Sequence, residues 1–172
     1  MSEWPFTIGD ASGCLSNRWS TELRFSRRAV VDTLALFDRM EELGVPFAYA
    51  DELEEVYFTL LPGKHGDYFP CKIRLSTSRD SLSMLDRTFI HELGHHIDNV
   101  EELSERPSLV EEKRTQAKFM SDTYARTDVG EYVAVGFEVY YLGTRRERAQ
   151  MREMNPKLYR TVADMHRKYR KR

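Results

Sequence analysis

The segment "TFIHELGHHIDN", residues 88–99, constrains this chain more than any other stretch. His91-Glu92-Leu93-Gly94-His95 is an H-E-x-x-H pattern, whose chemical meaning depends on a helix. On a helix, histidines four residues apart lie about 40° apart around the axis and one turn along it, so both imidazoles reach one ion. Glu92 projects to one side of the pair, where it can hold a metal-bound water instead of the metal. The apolar positions agree with this reading. Leu82, Leu85, Phe89, Leu93 and Ile97 share one face, and His91, His95 and Asp98 lie roughly opposite. One side therefore packs into a core and the other faces a cleft. His96 points away from the pair and reads as a supporting contact or an exposed residue. Asp98, one turn past His95, is placed to accept a hydrogen bond from an imidazole N–H.

The rest of the chain predicts helices around a small sheet, an α+β fold. A first helix is expected in "STELRFSRRAVVDTLALFDRMEELG", with Val30, Leu34, Phe37 and Met40 at helical spacing and Gly44 as its stop. Two runs rich in Val, Tyr, Phe, Ile and Leu flank "PGKHGD" and predict a β-hairpin with a longer loop. The motif helix should start at Ser78 or Asp80 and end near Asn99. Further helices are expected from Pro107, over "VGEYVAVGFEVYYLG", and from Asn155-Pro156, a cap and first position. The strand order is not legible.

A catalytic zinc takes three protein ligands and keeps one position open. A third histidine ten residues after His91 would fall on Glu101, so the ligand must come from further along. In "VGEYVAVGFEVYY", Val133, Phe137 and Tyr140 form an apolar face, and Glu131, Val135 and Glu138 line the opposite one. Glu131, Asp128 and Glu138 are all candidates. Spacing leaves the choice open, because a first-turn glutamate is also stabilised by the helix dipole while fully exposed.

"HELGHHID" followed by "YARTDVGEYVAVGFEVYY" resembles the zinc peptidase domain of anthrax lethal factor and its relatives, which include the Pro-Pro endopeptidases. In that group an H-E-x-G-H-x-x-D helix precedes a segment Y-x-x-T/N-x-x-x-E-[FY]-[FV]-A. The resemblance implies a zincin-like α+β domain in which His91, His95 and Glu131 hold a zinc ion (Zn2+). It implies Glu92 as general base and Tyr124 as partner of the oxyanion. Relatives carry a second glutamate one turn after the ligand, where this chain has Val135; Glu138 lies one turn further on the same face. The expected arrangement is a single domain over 1–172, with a catalytic core at about 45–143 and helical N- and C-terminal extensions. Peptide or protein substrate is expected to lie extended along strand 71–77, read as an edge strand beside the motif helix.

The function so implied is zinc-dependent endopeptidase activity. The alternative is a zinc-binding but catalytically silent interaction or regulatory module, which the Val135 departure keeps open. The net charge of −2 gives no global attraction to nucleic acid or acidic membrane. The basic end "HRKYRKR" reads as a solvated last helical turn, with no basic stripe elsewhere, and His65 reads as an ordinary loop histidine. No export signal and no membrane span are legible, so an intracellular place of action, or exit by a non-classical route, is expected. Cys14 and Cys71 are expected to be free thiols.

Overall fold

Segments rich in β-branched and aromatic residues form a five-stranded mixed sheet in the computed structural model, which describes residues 15–16, 22–25, 33–51, 53, 55–59, 61, 63–76, 84–120 and 122–171. The strands are β1 (Leu15–Ser16), β2 (Glu22–Phe25), β3 (Glu55–Thr59), β4 (Gly66–Phe69) and β5 (Lys72–Ser76). Their order is β1-β2-β3-β5-β4. β2, β3 and β5 are parallel, and β1 and β4 close the two edges antiparallel. Helix α1 (Thr33–Glu42) lies in the crossover from β2 to β3, as a parallel pair requires.

Three expectations change here. The helix expected across "STELRFSRRAVVDTLALFDRMEELG" begins, among the described residues, only at Thr33, and Glu22–Phe25 is a strand. Leu23 and Phe25 alternate with Glu22 and Arg24, so this short run also carries the strand period, and β3 supplies its hydrogen-bonding partner. The N-terminal part of the chain is thus partly sheet. The side chains of Val30 and Leu34 lie outside the described residues, as do Leu82, Ser78, Asp80 and Cys14. The stop at Gly44 holds: with φ 69°, its N–H bonds Glu41 O while Val45 N–H bonds Met40 O.

The hairpin expected around "PGKHGD" is not formed, because β3 and β5 are parallel neighbours. The second run is cut by Pro70-Cys71 into β4 and β5, and the hairpin is the tight one between them, pairing Phe69 with Lys72. Proline presets the first turn position, and Cys71 takes a left-handed φ of 64° at the second. Strand 71–77 is consequently not an edge. Both sides of β5 are occupied, by β3 and β4, and the edge strand packed against the motif helix is β4.

Val56 and Ile73, and Phe58 and Leu75, are register partners whose fully buried side chains form the covered face of the sheet. Against the core packs α2 (Leu85–Glu101), through Leu85, Phe89, Ile90, Leu93 and Ile97. Burial of each such side chain stabilises the fold by about 1.5–3 kcal/mol. Helices α3 (Pro107–Gln116), α4 (Val129–Leu142), α5 (Arg145–Met154) and α6 (Pro156–Tyr169) complete the helical side, with Met151, Leu158, Val162 and Met165 in the same core. No helix among the described residues is long and apolar enough to cross a membrane.

Helix α6 starts at Pro156 as expected, but the Asn155 side chain does not cap it. The buried carboxylate of Glu112, on α3, accepts Lys157 N–H at 2.9 Å, Leu158 N–H at 2.7 Å and the Tyr132 hydroxyl at 3.1 Å. Asn155 instead donates to Tyr132 Oη and Gln116 O. Replacing Glu112 by Gln should lower the unfolding free energy by about 1–3 kcal/mol in a urea titration, because an ionised acceptor facing two helix N–H groups is lost. An unshifted midpoint would mean that α6 is held without it.

Candidate metal centre

The site is assembled where α2 and α4 run antiparallel at very close range. A Cβ on Gly94 would lie 2.9 Å from Ala134 Cα, so the contact tolerates no side chain at that position. With the backbones this close, the pairs His91–Glu138 and Asp98–Gly130 also face each other across the two helices. The Asp128 carboxylate caps α4 by accepting Glu131 N–H at 2.8 Å, which places Glu131 in the first turn on the side facing the histidines.

His91, His95 and Glu131 meet there, with one donor atom of each within 4.8 Å of the others. His91 Nε2 and His95 Nε2 are 3.2 Å apart, Glu131 Oε2 is 3.1 Å from His91 Nε2, and Glu131 Oε1 is 3.6 Å from His95 Nε2. Three donors of a tetrahedral zinc, each about 2.05 Å from the metal, stand roughly 3.3 Å from one another. Glu131 Oε2 is buried and makes no hydrogen bond among the described residues. A buried carboxylate oxygen without a donor is the kind of atom that a cation satisfies, and two imidazoles with one carboxylate are a donor set that suits zinc.

The charges reinforce one another. Burial would raise Glu131 and lower His91, but the adjacent partners prevail: His91 and His95 bring Glu131 down to about 2, and Glu131 and Glu138 carry His91 up to about 10. Glu92 is 6% exposed, and burial raises it to about 7 against the pull of the two histidines. Gly66 on β4 lies close by, where an added Cβ would approach Glu92 Oε1 to 3.1 Å and Thr88 Cγ2 to 2.6 Å. Glu92 therefore stands between the histidine pair and the edge strand.

Tyr124 sits in a 3-10 turn, Thr123–Arg126, with 57% of its surface exposed and its ring 6.2 Å from that of His91. Both line one cavity of about 700 Å3 together with Glu92, His95, Glu131 and Glu138. Lys64 and His65, in the loop before β4, also line it.

Other candidates occupy different places. Asp128 is committed to capping and does not join the metal group. Asp98 accepts Ser104 N–H at 2.6 Å, closing the turn after α2, instead of an imidazole N–H. The expected imidazole support comes from Glu138, whose Oε1 lies 2.6 Å from His91 Nδ1. A carboxylate only accepts here, so Nδ1 carries a proton, and Nε2 is the nitrogen that would face a metal ion once its own proton is displaced. Val135 is fully buried in the core, whereas Glu131 and Glu138 on the same side of α4 line the cavity, Glu138 with only 5% of its surface exposed. His96 is also fully buried, with Nε2 bonded to Asp51 O at 3.0 Å and Nδ1 3.4 Å from the Tyr68 hydroxyl. The Tyr68 ring in turn lies parallel to His95, with centroids 6.5 Å apart.

Arg87, not singled out from sequence, ties two parts of the site together. Its Nε donates to Glu138, and its Nη2 lies 3.5 Å from Asp122 Oδ2, while Asp122 Oδ1 accepts Tyr124 N–H at 2.9 Å. The position one turn before His91 was its sequence signal. Compared with protein families and with curated proteins, the chain finds no match.

Glu138→Ala should weaken zinc binding about 10–100-fold in a chelator-competition titration, since His91 loses the acceptor that orients it. Unchanged affinity would remove Glu138 from the metal centre.

Proposed function

We propose that this chain is a zinc-dependent endopeptidase with a zincin-like domain of the anthrax lethal factor type. The observation that carries this reading is the unbonded, buried Glu131 oxygen facing the paired Nε2 atoms of His91 and His95, with Glu92 beside them at one cavity. Bound at His91, His95 and Glu131, zinc supplies Lewis acidity and makes water a nucleophile near neutral pH.

The chain's own residues do the rest. Glu92 takes the proton of the attacking water and returns it to the leaving amine. The Tyr124 hydroxyl donates to the carbonyl oxygen as negative charge develops on it. Glu138 keeps the His91 proton on Nδ1, and Arg87 holds Glu138 and the Tyr124 turn in place. The peptide lies extended along β4, not β5, because β4 is the terminal strand of the sheet among the described residues. Its Gly66, Asp67 and Tyr68 line the cavity, so main-chain pairing there sets the scissile bond beside Glu92.

Cleavage of a diverse peptide library by zinc-loaded protein tests this reading, with Glu92→Gln and a chelated sample alongside. Cuts should disappear on chelation and fall at least about 100-fold in Glu92→Gln, which should still bind zinc. Cuts that persist in both samples would remove the assignment. An intact zinc-loaded protein that cleaves nothing would favour the silent, zinc-binding module.

A further inference from the structure

Helices α5 and α6 carry a basic groove, although no basic stripe was expected outside the last helical turn. Arg145, Arg148 and Arg152 recur at spacings of three and four along α5, on one face. Arg160 and Arg167 recur seven residues apart on α6. Asn155-Pro156 folds the two helices together, so the two sets of arginines line two adjoining depressions of about 450 Å3 each, which share Arg152 and Tyr159. Glu153 is the acidic residue in their lining. Arg167 pairs with Asp164, but among the described residues Arg145, Arg148, Arg152 and Arg160 make no salt bridge. Glu147 is engaged in the capping box with Thr144. On a chain of net charge −2, this is a local concentration of unneutralised guanidinium groups.

We propose that this groove docks an acidic segment of a polypeptide. Guanidinium forks match carboxylates two atoms to two, which favours arginine over lysine for such a partner. The aromatic rings of the groove argue against single-stranded nucleic acid. Tyr140 is packed against Tyr141, Tyr159 and His166, with centroids 5.1, 5.8 and 5.9 Å away, so its ring is used within the fold and is not an open platform for bases. Glu147, in the first turn of α5, is within electrostatic reach of Arg87, which lines the metal-centre cavity. A substrate whose acidic segment is far enough from its cleavage site to span groove and cleft would bind both places at once and gain effective concentration. That the docked polypeptide is a substrate rests on the proposed peptidase activity; the docking itself does not.

The test is fluorescence anisotropy of labelled octaglutamate with full-length, zinc-loaded Glu92→Gln protein, which measures binding without turnover. Saturable binding that weakens with added salt is expected, and Arg148→Glu/Arg152→Glu should raise Kd at least about tenfold. Arg148→Gln/Arg152→Gln, which carries no new charge, should raise it by a smaller factor with an unchanged circular dichroism spectrum. Absence of saturable binding, or equal binding by all variants, would overturn the proposal. An oligothymidylate of equal length that binds more tightly through the same arginines would overturn the peptide as occupant. Binding lost in the arginine variants would uphold the groove even if no peptide is ever cleaved.

Discussion

The contact between Gly94 and Ala134 is the constraint on which the site depends. Histidines four residues apart can offer two nitrogens to an ion on any exposed helix, but the third donor has to come from elsewhere in the chain. A glutamate side chain is short, and only a near-touching pair of helix backbones lets Glu131 reach Nε2 of both histidines while Glu138, two turns on, reaches His91 from the other end. A side chain at position 94 would press on the Ala134 backbone and move both acids away together. The glycine inside the motif thus serves long-range geometry, not local flexibility.

Close packing also explains how so much charge is held in a half-buried space. Glu92, Glu131 and Glu138 converge on two imidazoles, and burying that many carboxylates unpaired would destabilise the fold severely. Each has an answer. Glu131 faces the histidines, Glu138 is held between His91 and Arg87, and Glu92 looks into the cavity. Arg87 then extends the order outward through Asp122 to the turn that carries Tyr124. The candidate metal ligands and the exposed tyrosine are parts of one connected network, although the chain between His91 and Tyr124 runs through all of α3.

Local pattern was the legible part. The motif helix, the apolar stripe of Phe89, Leu93 and Ile97, and the helix that begins at Val129 are all written in spacings of three and four. Glu131, Asp128 and Glu138 could not be separated that way, because the approach of a second helix decides which acid caps, which faces both histidines and which supports an imidazole. Residues 66–76 misled for a related reason. The strand-forming run is continuous in composition, and Pro70-Cys71 was a weaker signal than "PGKHGD", so 71–77 was read as the edge although the edge strand is β4, just before it. His96 and Glu112 show the same limit: their partners, Asp51 O and the first turn of α6, are 45 residues away in each chain direction that matters. The arginines of α5 and α6 became a surface only once two helices were laid side by side.

The most direct measurement is anomalous diffraction from crystals grown with zinc, recorded on both sides of the zinc absorption edge. The account predicts one anomalous peak within about 2.0–2.2 Å of His91 Nε2, His95 Nε2 and a Glu131 carboxylate oxygen, with Glu138 bonded to His91 and not to the metal. No peak at these residues, or a metal held by Asp128 or directly by Glu138, would contradict it.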